Sequence, residues 1–438
     1  MSEGAEATIQ GSRRGALWLA TLGFFGGFAG VAVFGPMVPR FVEILGLTPL
    51  QAGLMAGIPN LTGSLLRIPF GAWVDRAGGK KPFLWLLSLT LVGMAGLLVV
   101  LGTSYPDNMD GLFPVLMGLG VLIGCGIATF SVGISQVSYW YPQRQQGGPL
   151  GIYAGLGNTG PGIFSWLLPA VVASLGILTA YGLWFVGLAI IVVVYAIFIK
   201  DAPSFQLQKQ GAEAGREELQ RHGQDLIPTG STWAGLRSAA GVPATWALVY
   251  FYFISFGGFL ALTAWLPTYW TQTHTVAATT AGLLTLMFSL ITALIRVPGG
   301  MLSDHVSIRY ALTGNFLLII LGAGWIALSA SFSAAVVATI VIAAGMGLQN
   351  AIVFKLVAFY VPNAVGGASG WVGGLGALSG FLLPPIMGAI AGSAAGDLAY
   401  ARGFLVVAGL AVIGILGVGW LTNWTWQSRP EQSKGDSR

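Results

Sequence analysis

Runs of about 20 predominantly apolar residues recur along the chain, separated by short polar stretches. They predict spanning helices at 16–39, 52–74, 83–104, 112–140, 149–174, 178–199, 244–270, 278–303, 308–330, 333–360, 367–392 and 402–424. The one long polar interruption, 200–243, holds Lys200, Asp201, Lys209, Glu213, Arg216, Glu217, Glu218, Arg221 and Asp225. It divides the chain into a six-helix bundle over 1–199, a linker over 200–243 and a second six-helix bundle over 244–438. Within the linker, the stretch from Glu213 to Arg221 is a candidate surface helix. The first apolar run follows Arg13 and Arg14, with no clear small-residue cleavage pattern after it, and is expected to be a retained first helix.

The halves also repeat in detail. Arg67-Ile68-Pro69-Phe70-Gly71-Ala72-Trp73-Val74-Asp75 and Arg296-Val297-Pro298-Gly299-Gly300-Met301-Leu302-Ser303-Asp304 share the pattern Arg-x-Pro-x-Gly-x-x-x-Asp. Pro142 followed by Gly147-Gly148 is matched by Pro362 followed by Gly366-Gly367. Gly155-Leu156-Gly157-Asn158-Thr159-Gly160 is matched by Gly374-Leu375-Gly376-Ala377-Leu378-Ser379-Gly380. Two related six-helix halves are a transporter architecture, with the substrate site at the midplane between them.

Composition agrees: 55% of the 438 residues are hydrophobic and 8% charged, and the mean hydropathy is +0.77. This is an all-α integral membrane protein, with the lipid bilayer as its surroundings. Its 66 glycines suit close helix approach in a bilayer. The single cysteine, Cys125, excludes a disulfide within the chain and reads as a small packing residue. The formal charge of +5 fits basic inner loops and does not argue for nucleic acid. With both termini in the cytoplasm, Arg40 and Arg402 are the basic residues in outer loops, so the charge bias places the termini and the linker inside.

Three cations, Arg67, Arg296 and Lys355, fall within predicted helices, whereas every Asp, Glu and His falls in tails, loops or helix ends. An arginine cannot neutralise itself, and burying one costs roughly 2.5–3.5 kcal/mol on insertion scales. With no carboxylate inside the helices, a bound anion is the natural partner. Snorkelling or backbone carbonyls are the structural alternative. Asn158 is either helix glue or a substrate contact, and the glycines of the fifth and eleventh helices, Gly157, Gly160, Gly376 and Gly380 among them, allow backbones to touch and slide. An integral-membrane enzyme would need a nucleophile, metal ligands or an acid/base pair near the bilayer, and the sequence offers none. No cofactor or metal is expected.

The loop after the second helix reads Gly71-x-x-x-Asp75-Arg76-x-Gly78-x-Lys80 and resembles the helix 2–3 loop motif of the major facilitator superfamily. Gly300, Asp304, His305 and Arg309 form a degenerate copy after the eighth helix. Gln146-Gly147-Gly148 ahead of Gly155–Gly160, together with the two arginines, resembles the nitrate/nitrite porter family of that superfamily over about 16–424. The resemblance implies the major facilitator fold and secondary transport of nitrate and nitrite across a prokaryotic cytoplasmic membrane by a monomer. It implies substrate arginines at Arg67 and Arg296, sandwiching rings at Phe130 and Phe256, and polar contacts at Asn158 and Tyr252. Gly71, Asp75, Arg76 and Asp304 are expected to serve gating. Ala377 stands where the first half has Asn158, so no polar role carries over to the eleventh helix. Another small anion, such as formate or oxalate, and an anion channel are the competing readings. Lys355 is the one residue inside the helices able to titrate, which makes proton symport through it the leading coupling mode and nitrate/nitrite exchange the alternative.

Overall fold

The computed structural model describes residues 9–210, 219, 224, 232–296, 298–299 and 306–427, and every regular element among them is helical. In the first half, α1 is Arg13–Leu45. Next, α2 is built of Pro49–Gly57, Pro59–Leu65 and Arg67–Ala77. Then α3 is Lys80–Ser104 and α4 Phe113–Trp140. Last come α5, built of Gly147–Gly157 and Gly160–Leu175, and α6, Ile177–Phe198. In the second half, α7 is Pro243–His274, and α8 is Ala278–Leu294 with a further helical turn at Arg296. The remainder are α9 (Ile308–Leu328), α10 (Phe332–Tyr360), α11 (Pro362–Ser393) and α12 (Ala399–Asn423). Among the described residues nine of these are long and apolar enough to cross a membrane; the other three, α2, α5 and α8, are the ones with breaks or with undescribed residues.

The breaks have local causes. Pro59, Pro69 and Pro161 lack an N–H, so each leaves a carbonyl one turn earlier without its helical donor. The expected boundaries shift for similar reasons. Helix α1 runs past Pro39 to Leu45 through two 3₁₀ turns, and ends on Gly46 at φ 60°. Helix α2 starts earlier than hydropathy suggests because Thr48 and Gln51 form a reciprocal cap. The Gln51 N–H donates to Thr48 Oγ1 at 3.3 Å, and the Thr48 N–H donates to Gln51 Oε1 at 2.9 Å.

The halves are sealed at the end away from the termini. There α1 packs on α7, α2 on α11 and α5 on α8. The approach is backbone to backbone: a Cβ at Gly53 would collide with the Pro384 carbonyl, and one at Gly282 with the Ser165 carbonyl. At the end carrying the termini, the described residues give the first segment of α5 and the second half of α4 no extended packing on the other half. A Cβ built at Gly147, Gly148, Gly151 or Gly155 meets nothing within 4 Å. Among the described residues the halves thus meet backbone to backbone at one end and more loosely at the other, where Arg67–Ala77 still packs on the first segment of α11.

The linker docks on both halves. Asp201 accepts from the Lys80 N–H at 2.9 Å and pairs with Lys209 at 2.6 Å, while Phe205 meets the Tyr139 ring edge-on at 5.5 Å. Further along, Trp371 Nε1 of α11 donates to the Leu236 carbonyl at 2.9 Å. The candidate surface helix near Glu213 to Arg221 lies outside the described residues, apart from Leu219.

Candidate functional site

Arg67 begins the last segment of α2 and is 1% exposed. Its Nε donates to the Gly63 carbonyl at 3.1 Å, one helical turn back. Its Nη1 crosses to the other half and donates to the Gly373 carbonyl of α11 at 3.1 Å. Its Nη2 has no partner among the described residues. The guanidinium lies against two rings, with Cζ 4.9 Å from the Phe130 centroid and 5.0 Å from that of Phe256. Desolvated cation–π contacts of this kind are worth up to ~2 kcal/mol each. Arginine's delocalised charge on a carbonyl-rich turn makes the burial tolerable.

Arg296, at the turn that continues α8, is half-buried and also lies over the Phe256 ring, with Cζ 5.7 Å from its centroid. One ring of α7 therefore joins the arginines of both halves. A π-helical turn at Phe253–Gly257 places this ring. Tyr252 stacks on Phe256 at 4.8 Å with 9° between planes, and its buried hydroxyl points to Arg296 without reaching hydrogen-bond geometry. Asn158 sits at the break in α5, 1% exposed, with neither side-chain atom partnered. The described carboxylates, Glu43, Asp75, Asp107, Asp110, Asp201 and Asp397, lie on other parts of the molecule, at helix ends and in loops.

Phe130 and Phe256 are stacked across the site. Their centroids are 6.0 Å apart at 28°. A flat anion between them needs about 3.5 Å on each side, roughly 7 Å in all. In this state the Arg67 guanidinium lies against both rings, and the slot is too narrow for a guest.

The glycines divide into two groups. Gly157 is pressed against the Phe24 ring, which packs on Phe130 at 5.4 Å; Gly160 meets the α1 backbone at Phe25. Gly376 meets Tyr252 and Gly380 meets Leu260 and Asn60, so these four shape the walls of the site. Gly71 is different: a Cβ there would find ordinary contact with Ser131 at 3.6 Å. Asp75 accepts from the Tyr139 hydroxyl of α4 at 2.7 Å, and Arg76 is exposed beside it. Asp304 lies outside the described residues. Lys355, read from the sequence as lying well inside α10, is exposed on that helix five residues before its end at Tyr360.

The sequence reading passed over several buried polar groups here: Asn60, Ser64, Gln349 and Asn350, each at 1% exposure or less and each with at least one unpartnered atom. Asn60 and Ser64 precede Arg67 by two turns and by roughly one on the same helix. Helical spacing back from the arginine was the signal that could have found them.

A helical membrane protein whose two halves bring cations to one shared ring has a layout found among transporters. The sequence profile of the Major Facilitator Superfamily matches residues 20–275 and 269–438. The "Probable nitrate/nitrite antiporter NarK1" of Thermus thermophilus is 30% identical over 397 residues, 84% of this chain and 83% of that one. The "Probable nitrate/nitrite transporter NarK2" of Mycobacterium tuberculosis strain H37Rv is 29% identical over 406 residues, 91% and 93% of the two chains. The "Nitrite extrusion protein" of Bacillus subtilis is 27% identical over 413 residues, 94% and 95%. The chain belongs to the major facilitator superfamily and, within it, to the nitrate/nitrite porters, a family of transporters and not of enzymes. Solved structures agree on the fold. A bacterial homologue of the lysosomal transporter Spinster, in an inward-facing and unoccupied conformation, superposes with a TM-score of 0.71 at 16% identity, covering 97% of this chain and 100% of that one. A D-xylose–proton symporter superposes with a TM-score of 0.71 at 14% identity, covering 95% and 98%.

Proposed function

We propose that this protein carries nitrate and nitrite across the cytoplasmic membrane by alternating access, as a monomer, with the anion held between Arg67 and Arg296. The observation that carries the reading is the pair of guanidiniums that meet on the Phe256 ring, one from each half, with Arg67 Nη2 without a partner among the described residues. A trigonal oxyanion bound there links the halves electrostatically in the closed state and releases them as it leaves. Two planar forks suit an in-plane set of oxygens, and flanking rings disfavour tetrahedral sulfate or phosphate. For the anion to enter between the rings, Phe256 must move away from Phe130 by about 1 Å, given the ~7 Å a stacked guest needs. The π-turn beneath it is the adjustable element. With the termini in the cytoplasm, the more loosely packed end faces inward.

Exchange of nitrate for nitrite is the coupling mode the site supports. Lys355 is exposed on α10, and the described core offers no carboxylate to carry a proton. Relatives named as an antiporter and as a nitrite extrusion protein point the same way. The test is uptake of nitrate into proteoliposomes with nitrite inside or absent, with and without a pH gradient. Uptake that needs internal nitrite and ignores the gradient supports exchange. Uptake driven by the gradient alone assigns symport. No saturable uptake of either ion removes the substrate assignment.

A further inference from the structure

Helix α10 carries two carboxamides side by side, Gln349 and Asn350, in an otherwise largely apolar span. Gln349 is accounted for in part: its Nε2 donates to the Phe251 carbonyl of α7 at 3.4 Å. Asn350 is 1% exposed, and neither Oδ1 nor Nδ2 has a partner among the described residues. Leaving a buried carboxamide wholly unsatisfied is destabilising, so a group retained in that state calls for an occupant.

Its neighbours show where it faces. Met346, Asn350 and Phe354 follow one another at four-residue spacing on one side of α10. Phe354 meets the Tyr252 ring edge-on at 5.0 Å, and the Met346 methyl lies 2.7 Å from where a Cβ of Gly258 would be. Asn350, between them, faces the part of α7 that carries Phe256. On the adjoining side, Gly347 lies against Thr292 and Ile295 of α8, the latter the residue before Arg296. The internal repeat points to the same place. Asn350 precedes Pro362 by as many residues as Phe130 precedes Pro142. The position that sets a ring over Arg67 in the first half thus sets a carboxamide beside the Arg296 turn in the second.

We propose that Asn350 is a substrate ligand, its Nδ2 donating to an oxygen of the bound oxyanion from the second half, as the counterpart to the equally unpartnered Asn158 of the first. This rests on the nitrate/nitrite reading above. In the occupied state its Oδ1, an acceptor, turns to a guanidinium N–H, so that its donors face the anion.

The test compares wild type with Asn350→Leu, of similar volume but without polar atoms, in reconstituted protein. Nitrate KM in counterflow is measured together with the thermal midpoint, with and without nitrate. A ligand role predicts a KM raised at least tenfold, a smaller nitrate-induced shift of the midpoint, and a nitrate-free midpoint equal to or above wild type. A structural role predicts the reverse, a lower nitrate-free midpoint with KM unchanged, and that result overturns the proposal. If the leucine variant does not insert, Asn350→Ser supplies the same comparison, with a smaller rise in KM expected and an unchanged KM overturning the proposal. Wild-type protein that shows neither counterflow nor a nitrate-induced shift refutes the nitrate reading instead, independently of Asn350.

Discussion

Arg67→Lys tests the planar geometry separately from the charge. The arginine divides its donors among two carbonyls, at 3.1 Å each, and one nitrogen unpartnered among the described residues, while its Cζ lies 4.9 and 5.0 Å from two ring centroids. A lysine keeps the charge but gathers its donors on one atom, which cannot serve Gly63, Gly373 and the anion together. Losing one charge-assisted hydrogen bond to the anion costs about 1.5–3 kcal/mol. At 1.4 kcal/mol per decade this is about tenfold to a hundredfold in nitrate affinity. The lost ring contacts, up to ~2 kcal/mol each when desolvated, weigh on the empty and the occupied protein alike and so appear mainly in stability. The assay is nitrate counterflow in proteoliposomes, normalised to inserted protein, with KM and maximal rate measured separately. Nitrate transport is expected to be abolished or nearly so at low nitrate, with a steep rise in KM. Arg296→Lys should behave alike, since its guanidinium shares the Phe256 ring. Wild-type KM and rate in either lysine variant would refute the planar-clamp argument.

Three other perturbations read the moving parts. Asp75→Asn and Tyr139→Phe each weaken the same 2.7 Å contact at the more loosely packed end; both should lower turnover and leave nitrate affinity within about twofold, well under the 1.4 kcal/mol of one decade, and an affinity loss equal to the rate loss would place Asp75 in the site. Gly53→Val puts a branched side chain against the Pro384 carbonyl and should keep the sealed end from closing; labelling of a cysteine placed at Thr48 should rise, and unchanged labelling counts against that contact as the seal. Lys355→Gln should preserve counterflow, and loss of gradient-driven uptake with counterflow intact would restore symport through Lys355.

Hydropathy alone determined the all-helical membrane architecture. A bilayer allows no unpaired backbone, so a long apolar run has one outcome, and the helices fall where the runs fall to within several residues. The repeat, too, was legible in the sequence: two arginines at matching places, with no acid inside the helices, implied a shared anionic guest before any coordinates. What the linear pattern could not carry was direction and distance. Whether Arg67 would face lipid, water or protein depends on α11 presenting the Gly373 carbonyl, a residue more than three hundred positions away. The same holds for the Phe130–Phe256 gap, which follows from where a π-turn in α7 meets α4. Lys355 and Asn350 invert their apparent rank for the same reason. A charge stands out in a sequence, but the end of α10 leaves it in the open. An amide in an apolar helix looks incidental until the packing of α7 and α8 closes over it and leaves both its polar atoms without partners. The sequence fixes which groups can bind an anion; tertiary packing decides which of them are desolvated, and only a desolvated donor holds its full strength for a guest.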